Sequence, residues 1–227
     1  MLELELPGRA EGASVEVCKT DRHVCLSWNG VRPCLSSAPH NGGYCLANRI
    51  VNLCVDGSEA IQSPEQSLQH YADDQGWGGM TVGLMTAAPM RSLRHQSDEY
   101  AGESLALWVT CGLENARRAG DPADWAGEAL PPPGTINTVF ATSLNLSPAT
   151  MAELLMVLTE AKCAVLQEAG ITSPLSGGIA TGTGTDATVI VSGYGRSERW
   201  AGKHTLLGER AAKLMMSALG DSMGRLR

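Results

Sequence analysis

Three titratable side chains stand in segments laid out for ligand contact. Asp186 closes the run Ala180-Thr181-Gly182-Thr183-Gly184-Thr185-Asp186, His204 lies in Ala201-Gly202-Lys203-His204-Thr205, and Glu209 follows just over one helical turn later. A carboxylate that orients an imidazole is a general-base pair able to deprotonate water, so Asp186, His204 and Glu209 are the candidate catalytic groups. Alternate glycines let backbone come close to a ligand, and the threonines add donors and acceptors. Two other chemistries stay open. Thr183, Thr185, Ser36 or Ser37 could serve as a nucleophile with a covalent acyl intermediate, and Asp186, His204 and Glu209 could hold a metal ion. The plain structural reading is a glycine-rich hairpin or edge strand with no ligand.

More loops of the same composition accompany this one. Residues 35–43 contain Ser36, Ser37, Asn41 and Gly42, and residues 134–137 end in Asn137. If such loops meet at one end of a sheet they form a pocket dense in hydrogen bonds, suited to a large polar ligand. Its wall would comprise Ser36, Ser37, Asn41, Gly42, Asn137, Gly182, Thr183, Gly184 and Thr185. The spacing Gly182, Gly184, Ala187 formally matches a dinucleotide fingerprint. That fingerprint needs a strand before it and a helix after it, whereas the β-branched run Thr188–Val191 follows here.

The elements that must hold these loops are unevenly legible. Val15–Val17 and Val24–Leu26 read as short strands flanking the turn at Thr20–Arg22. Leu46, Ile50 and Leu53 fall at helical spacing, which predicts a helix fed by the 36–43 loop. Pro64 to Gln75 reads as a polar helix, Met80–Met85 and Leu105–Thr110 as strands, and Arg91 to Gly102 as a polar surface connection. Residues 119–134, rich in proline, read as a long exposed loop. Gly134–Phe140 is β-type, and Ser147-Pro148 caps a helix whose face carries Met151, Leu154, Leu155, Leu158, Ala161 and Val165 and which ends near Gly170. Glu160 and Lys162 on it read as solvated charges. A last helix follows Thr205. The resulting fold class is α/β, with one mixed sheet and helices packed on it in a single domain over 1–227.

Composition narrows the partners. The chain has 227 residues, a net charge of −7 and no Lys/Arg block, which argues against nucleic acid or an anionic membrane. No apolar stretch approaches the ~18 residues of a membrane span, and Met1–Leu6 alternates acidic and apolar residues, unlike a signal peptide. The seven cysteines are odd in number and lack C-x-x-C spacing, so reduced thiols in a cytoplasmic protein are expected. A homo-oligomer is compatible with all of this.

Read in order, the segments Leu35–Ala38 with Asn41–Gly43, Gly134–Asn137, Thr159–Lys162, Ala180–Asp186, and Ala201–Thr205 with Leu207–Glu209 resemble the adenosylcobinamide amidohydrolase family. Gly83–Ala87 and Gly112–Ala116 look like further family segments. The resemblance covers roughly residues 30–220. It implies hydrolysis of the amide joining aminopropanol to the corrin propionyl side chain, giving adenosylcobyric acid in corrinoid salvage for cobalamin biosynthesis. The corrinoid is then the substrate, with no cofactor and no metal expected. His40 and Lys203 depart from the commoner residues of their motifs.

Overall fold

The computed structural model describes residues 15–55, 63–123 and 134–224. In chain order its elements are β1 (Glu16–Lys19), β2 (His23–Ser36), β3 (Gly43–Cys54), α1 (Pro64–Asp74), β4 (Thr81–Thr86), a 3-10 turn (Met90–Ser92), β5 (Arg94–Tyr100), β6 (Glu103–Cys111), β7 (Ala116–Arg117), β8 (Ile136–Thr142), β9 (Asn145–Leu146), α2 (Pro148–Glu168), β10 (Gly182–Thr183), β11 (Ala187–Val191), β12 (Ser197–Glu198) and α3 (Leu206–Gly224). The main sheet is eight-stranded in the order β4-β3-β2-β11-β8-β6-β5, with β1 also on β2. It is mixed: β3–β4 and β8–β11 are parallel and the other pairs antiparallel. The expected α/β class with helices packed on one mixed sheet is therefore observed.

The long strand β2 explains how one sheet encloses a core. It pairs with β3 along most of its length, while its other edge is shared by β1 over residues 24–27 and by β11 over residues 34–36. The register slips between Ser27 and Arg32, and Gly30 sits there at φ +82, a left-handed conformation that glycine adopts without steric cost. The sheet folds over at this bend. Leu26, Ile50, Val82 and Leu84 of one half then pack against Trp108, Val139 and Val189 of the other in a single buried cluster. The outer face of the second half buries Leu107, Ile136, Phe140 and Ile190 under α2 and α3. Outside the first half, α1 places Leu68 on Val51 and Leu53.

Local sequence accounts for the helices. Ser147 caps α2 by accepting from the Thr150 N–H at 3.1 Å, with Pro148 in the first turn where its missing N–H costs nothing. Met151, Leu154, Leu158, Ala161 and Val165 are buried as their spacing predicted. Thr205 caps α3, its Oγ1 accepting from Gly208 N–H at 3.0 Å. Among the described residues no helix is long and apolar enough to cross a membrane.

Two sequence expectations fail. The Leu46–Leu53 run is not a helix but lies in β3, so the 36–43 loop is a hairpin connection offering no helix N-terminus. Its helical spacing is a coincidence, because pairing with β2 and β4 buries Ala47 and the consecutive Ile50, Val51, Asn52 and Leu53 and leaves Leu46 exposed. Residues 91–102 are likewise not a mere connection. They contain the edge strand β5, whose polar residues suit a single-partnered strand and whose Asp98 holds Arg210 of α3 at 2.6 Å. The proline-rich stretch read as a loop falls for residues 124–133 outside the described residues, as does the N-terminal alternation.

Candidate functional site

Most of the recognised segments meet where β8 and β11 begin and β6 ends. Ala187 of β11 lies beside Asn137 of β8, which in turn faces Thr110 of β6. The glycine-threonine run pairs as β10 with β7, Gly182 opposite Arg117 and Thr183 opposite Ala116. Ser37 reaches the same corner by exchanging contacts with Thr188: its N–H donates to the Thr188 carbonyl and its Oγ accepts from the Thr188 N–H.

Asp186 is the hub of this corner. Its Oδ1 accepts from the Ile136 N–H at 2.9 Å and from the Thr183 hydroxyl at 2.5 Å. Its Oδ2 accepts from the Thr183 N–H at 3.0 Å and from Lys162 Nζ at 2.5 Å. The Lys162 and Asp186 side chains are only 13% and 12% exposed, so this ion pair is shielded from solvent and its hydrogen bonds are of the strong, charge-assisted kind. Lys162 is thus no solvated helix charge: it projects from the middle of α2 into the loop. Its register on that helix, beside the buried Ala161, was the available signal, but nothing in a helix sequence names a partner 24 residues away.

The motif's glycines follow from this packing. A Cβ on Gly182 would fall under 3.0 Å from Asp186 Oδ2 and 2.9 Å from Lys162 Nζ, in the space the ion pair fills. A Cβ on Gly184 would lie 2.6 Å from Asn115 Nδ2. Gly134, at φ +137, would bring its Cβ 2.7 Å from the Asn115 backbone nitrogen. Thr185 ties the tip down, its Oγ1 donating to the Gly134 carbonyl and its own carbonyl accepting from Thr135 Oγ1. Gly184 and Thr185 are exposed while Thr183 is half-buried, so the site opens to solvent at this tip.

The remaining candidates separate into two groups. Asn137 is 2% exposed and turned inward: its Nδ2 donates to Asn52 Oδ1 at 2.9 Å and to the Met85 carbonyl at 2.8 Å, while Asn52 Nδ2 donates to Thr110 Oγ1 at 2.9 Å. It bridges the two halves of the sheet. Ser36 is buried on the same inner surface, with no partner for its hydroxyl. Asn41, at φ 54, donates from Nδ2 to the Thr81 carbonyl at 2.8 Å and to His40 Nε2 at 3.0 Å. His40 must accept there, as a neutral imidazole, and burial lowers its pKa from the ordinary histidine value in the same sense. A Cβ on Gly42 would collide with the Ala38 carbonyl, so this turn too is closed by backbone contact.

His204 and Glu209 are not brought to Asp186. Among the described residues no hydrogen bond or ion pair joins the three, and His204 is exposed just before α3. Glu209 holds Lys213 at 2.6 Å one turn along the helix, and that hydrogen bond lowers its carboxyl pKa. The 201–209 motif is instead accounted for by packing. Ala201 N–H donates to Glu153 Oε2 at 2.8 Å, Lys203 pairs with Glu160, and Gly208 lies where any Cβ would strike the carbonyls of Ala201 and Gly202.

An open groove of about 700 Å³ begins at Leu113 and Glu114 and runs between the ends of α2 and α3, past Val165, Glu168, Ile171 and Met223. Of its lining residues, Glu114 precedes Asn115 in the chain and Val165 lies about one turn beyond Lys162 on α2.

Known proteins place this geometry in context. A protein of Halobacterium salinarum named adenosylcobinamide amidohydrolase is 32% identical over 194 residues, covering 81% of this chain and 77% of its own. One of the same name from Methanosarcina mazei is 27% identical over 150 residues, covering 66% and 64%. An uncharacterized protein of Methanocaldococcus jannaschii is 33% identical over 156 residues, covering 62% and 61%. The chain thus spans somewhat under two thirds of the length of these last two relatives. Among solved structures, a Burkholderia β-aminopeptidase aligns over 97% of this chain and 83% of its own at 13% identity and TM-score 0.49. A Pyrococcus horikoshii protein aligns over 98% and 82% at 12% identity and TM-score 0.46. Likenesses at that level say nothing of chemistry. The family profile is decisive: it matches residues 6–226, and the chain belongs to the adenosylcobinamide amidohydrolase family.

Proposed function

We propose that this chain hydrolyses the amide between the corrin propionyl side chain and aminopropanol in adenosylcobinamide, releasing adenosylcobyric acid and 1-amino-2-propanol. The observation that carries the reading is the gathering of most of the recognised segments round one shielded carboxylate, Asp186. Amide hydrolysis needs a nucleophile, an acceptor for its proton, and a donor for the leaving amine. At this corner Thr183 supplies a hydroxyl whose proton already points at Asp186 Oδ1. Attack by Thr183 Oγ1 on the amide carbon passes that proton to Asp186, which delivers it to the departing aminopropanol nitrogen. Water then cleaves the Thr183 ester and restores the hydroxyl. Lys162 stays against the other carboxylate oxygen and keeps the acceptor in place. His204, solvent-exposed and separate, is free in this scheme to be replaced.

Incubating the purified protein with adenosylcobinamide and following both products by chromatography tests the reaction. Mass spectrometry on an acid-quenched sample tests the ester on Thr183. Release of both products from the wild type and from His204→Ala, with none from Thr183→Ala, is expected. Full activity in Thr183→Ala would return the role of nucleophile to water. Binding without release would make the chain a corrinoid carrier.

A further inference from the structure

Asn115 is the most anomalous polar residue near the site. Its residue exposure is 1%, yet neither Oδ1 nor Nδ2 has a hydrogen-bond partner. A buried amide in that state forfeits the full desolvation cost of both atoms, and such groups in native proteins call for an explanation. Its backbone carbonyl, by contrast, accepts from the Gly184 N–H at 3.1 Å, and Gly134 packs against its backbone nitrogen. The side chain is therefore held in place by its main chain while its own donor and acceptor are left for something else.

Gly184 is part of the cover over this amide. Gly184 lies directly on Nδ2, close enough that a methyl group there would sit 2.6 Å from it, and Gly184 is itself exposed. The tip is held to Asn115 by the single Gly184 N–H bond and to residues 134–135 by Thr185. Displacing the glycine tip, one residue along the loop from Thr183, would uncover a donor and an acceptor side by side.

We propose that Asn115 is a substrate-recognition residue, pairing its Oδ1 and Nδ2 with a ligand edge that presents one donor and one acceptor in matching order. Two chemical groups have that edge: a primary carboxamide, and the amino-nitrogen and ring-nitrogen edge of adenine, which asparagine reads bidentately elsewhere. The inference rests on the corrinoid reading above for its natural ligand. It does not rest on that reading for the edge recognised.

The test has two parts. In the first, the Asn115 side-chain amide resonances are followed by NMR during titration with propionamide, adenosine, and N,N-dimethylpropionamide, which has no donor. A saturable shift with one of the first two and none with the third is expected whatever reaction the protein performs. In the second, kcat and KM of wild type, Asn115→Asp and Asn115→Ala are compared for adenosylcobinamide and for cobinamide without the adenosyl group. Loss of two hydrogen bonds in a desolvated site lowers kcat/KM by about 10- to 100-fold. A loss confined to the adenosylated substrate assigns the adenine edge, and an equal loss on both assigns a carboxamide. Thermal stability of Asn115→Ala should be at or above that of wild type, because a buried group without partners is removed. A destabilised Asn115→Ala with unchanged kcat/KM, or no saturable shift with either probe, overturns the proposal. Wild type that hydrolyses neither corrinoid while the amide resonance still shifts overturns the corrinoid reading alone.

Discussion

Replacing Gly182 by alanine puts the Asp186 hub under direct test. The added methyl would lie under 3.0 Å from Asp186 Oδ2 and 2.9 Å from Lys162 Nζ, whereas carbon contacts settle at about 3.5–4.0 Å. The carboxylate and the ammonium must therefore part from the loop by about 1 Å. Asp186 Oδ2 then loses its 2.5 Å bond to Lys162, its 3.0 Å bond to the Thr183 N–H, or both. Each hydrogen bond to a charged group is worth about 1.5–3 kcal/mol, and overpacking a closed site costs about 1–3 kcal/mol. Against this, alanine restricts the unfolded chain and returns about 0.4–1 kcal/mol. The balance is a destabilisation of about 3 kcal/mol. For a chain of this size that lowers Tm by about 6–12 °C. Gly220→Ala supplies the internal control. Gly220 is an exposed residue inside α3 with nothing within 4 Å of an added Cβ, so the same substitution there should stabilise by about 0.5–1 kcal/mol. Urea unfolding followed by circular dichroism and tryptophan fluorescence measures both. A Gly182→Ala protein within 1 kcal/mol of wild type would refute the reasoning, because the ion pair could then not fill that space.

Three further expectations concern the same molecule. Lys162→Met leaves Asp186 with three donors but no cation. It should cost about 2–4 kcal/mol, less once Asp186→Asn is also present, and strict additivity in that double-mutant cycle would show that the pair is not coupled. Burial lowers the pKa of His23, His40 and His95, so between their folded values and the unfolded value of about 6.5 the unfolded chain binds more protons. Their contribution is complete above pH 6.5 and is lost as pH falls through that value, at no more than about 1.4 kcal/mol per unit for each; a urea midpoint that rises from pH 7.5 to 5.5 would contradict this. Cys111 has its thiol pKa pushed up to about 12 by burial, so it should resist a thiol-alkylating reagent at pH 8 in the native state, while labelling at the rate of the exposed Cys18 would contradict its burial.

How much of this was visible in the sequence depended on whether the deciding partner was local. Helix α2 was legible from end to end, since Ser147, Pro148 and the buried stripe from Met151 to Val165 are all local signals. Strand β3 was misread because its periodicity matched a helix, and only its pairing with β2 and β4 decides otherwise. The glycine-threonine run was singled out from its composition, and Asp186 with it, but a carboxylate's partners are set by the packed chain. Read as the carboxylate that orients His204, Asp186 holds Lys162 and Thr183 instead. Lys162 looked like any helix-surface lysine, and Asn115 sat unremarked inside a recognised segment. Neither could be found without the fold, because a shielded ion pair and an unpartnered amide are properties of the packed chain.

The bend in β2 constrains how a bulky ligand can enter. Because that one strand runs through both halves of the sheet, and Asn52, Asn137 and Thr110 are bonded across the gap, the halves cannot swing apart like the jaws of a hinged enzyme without tearing a continuous backbone ladder. A ligand as large as the proposed corrinoid would have to enter past surface elements. The scaffold is in effect a clasp already shut.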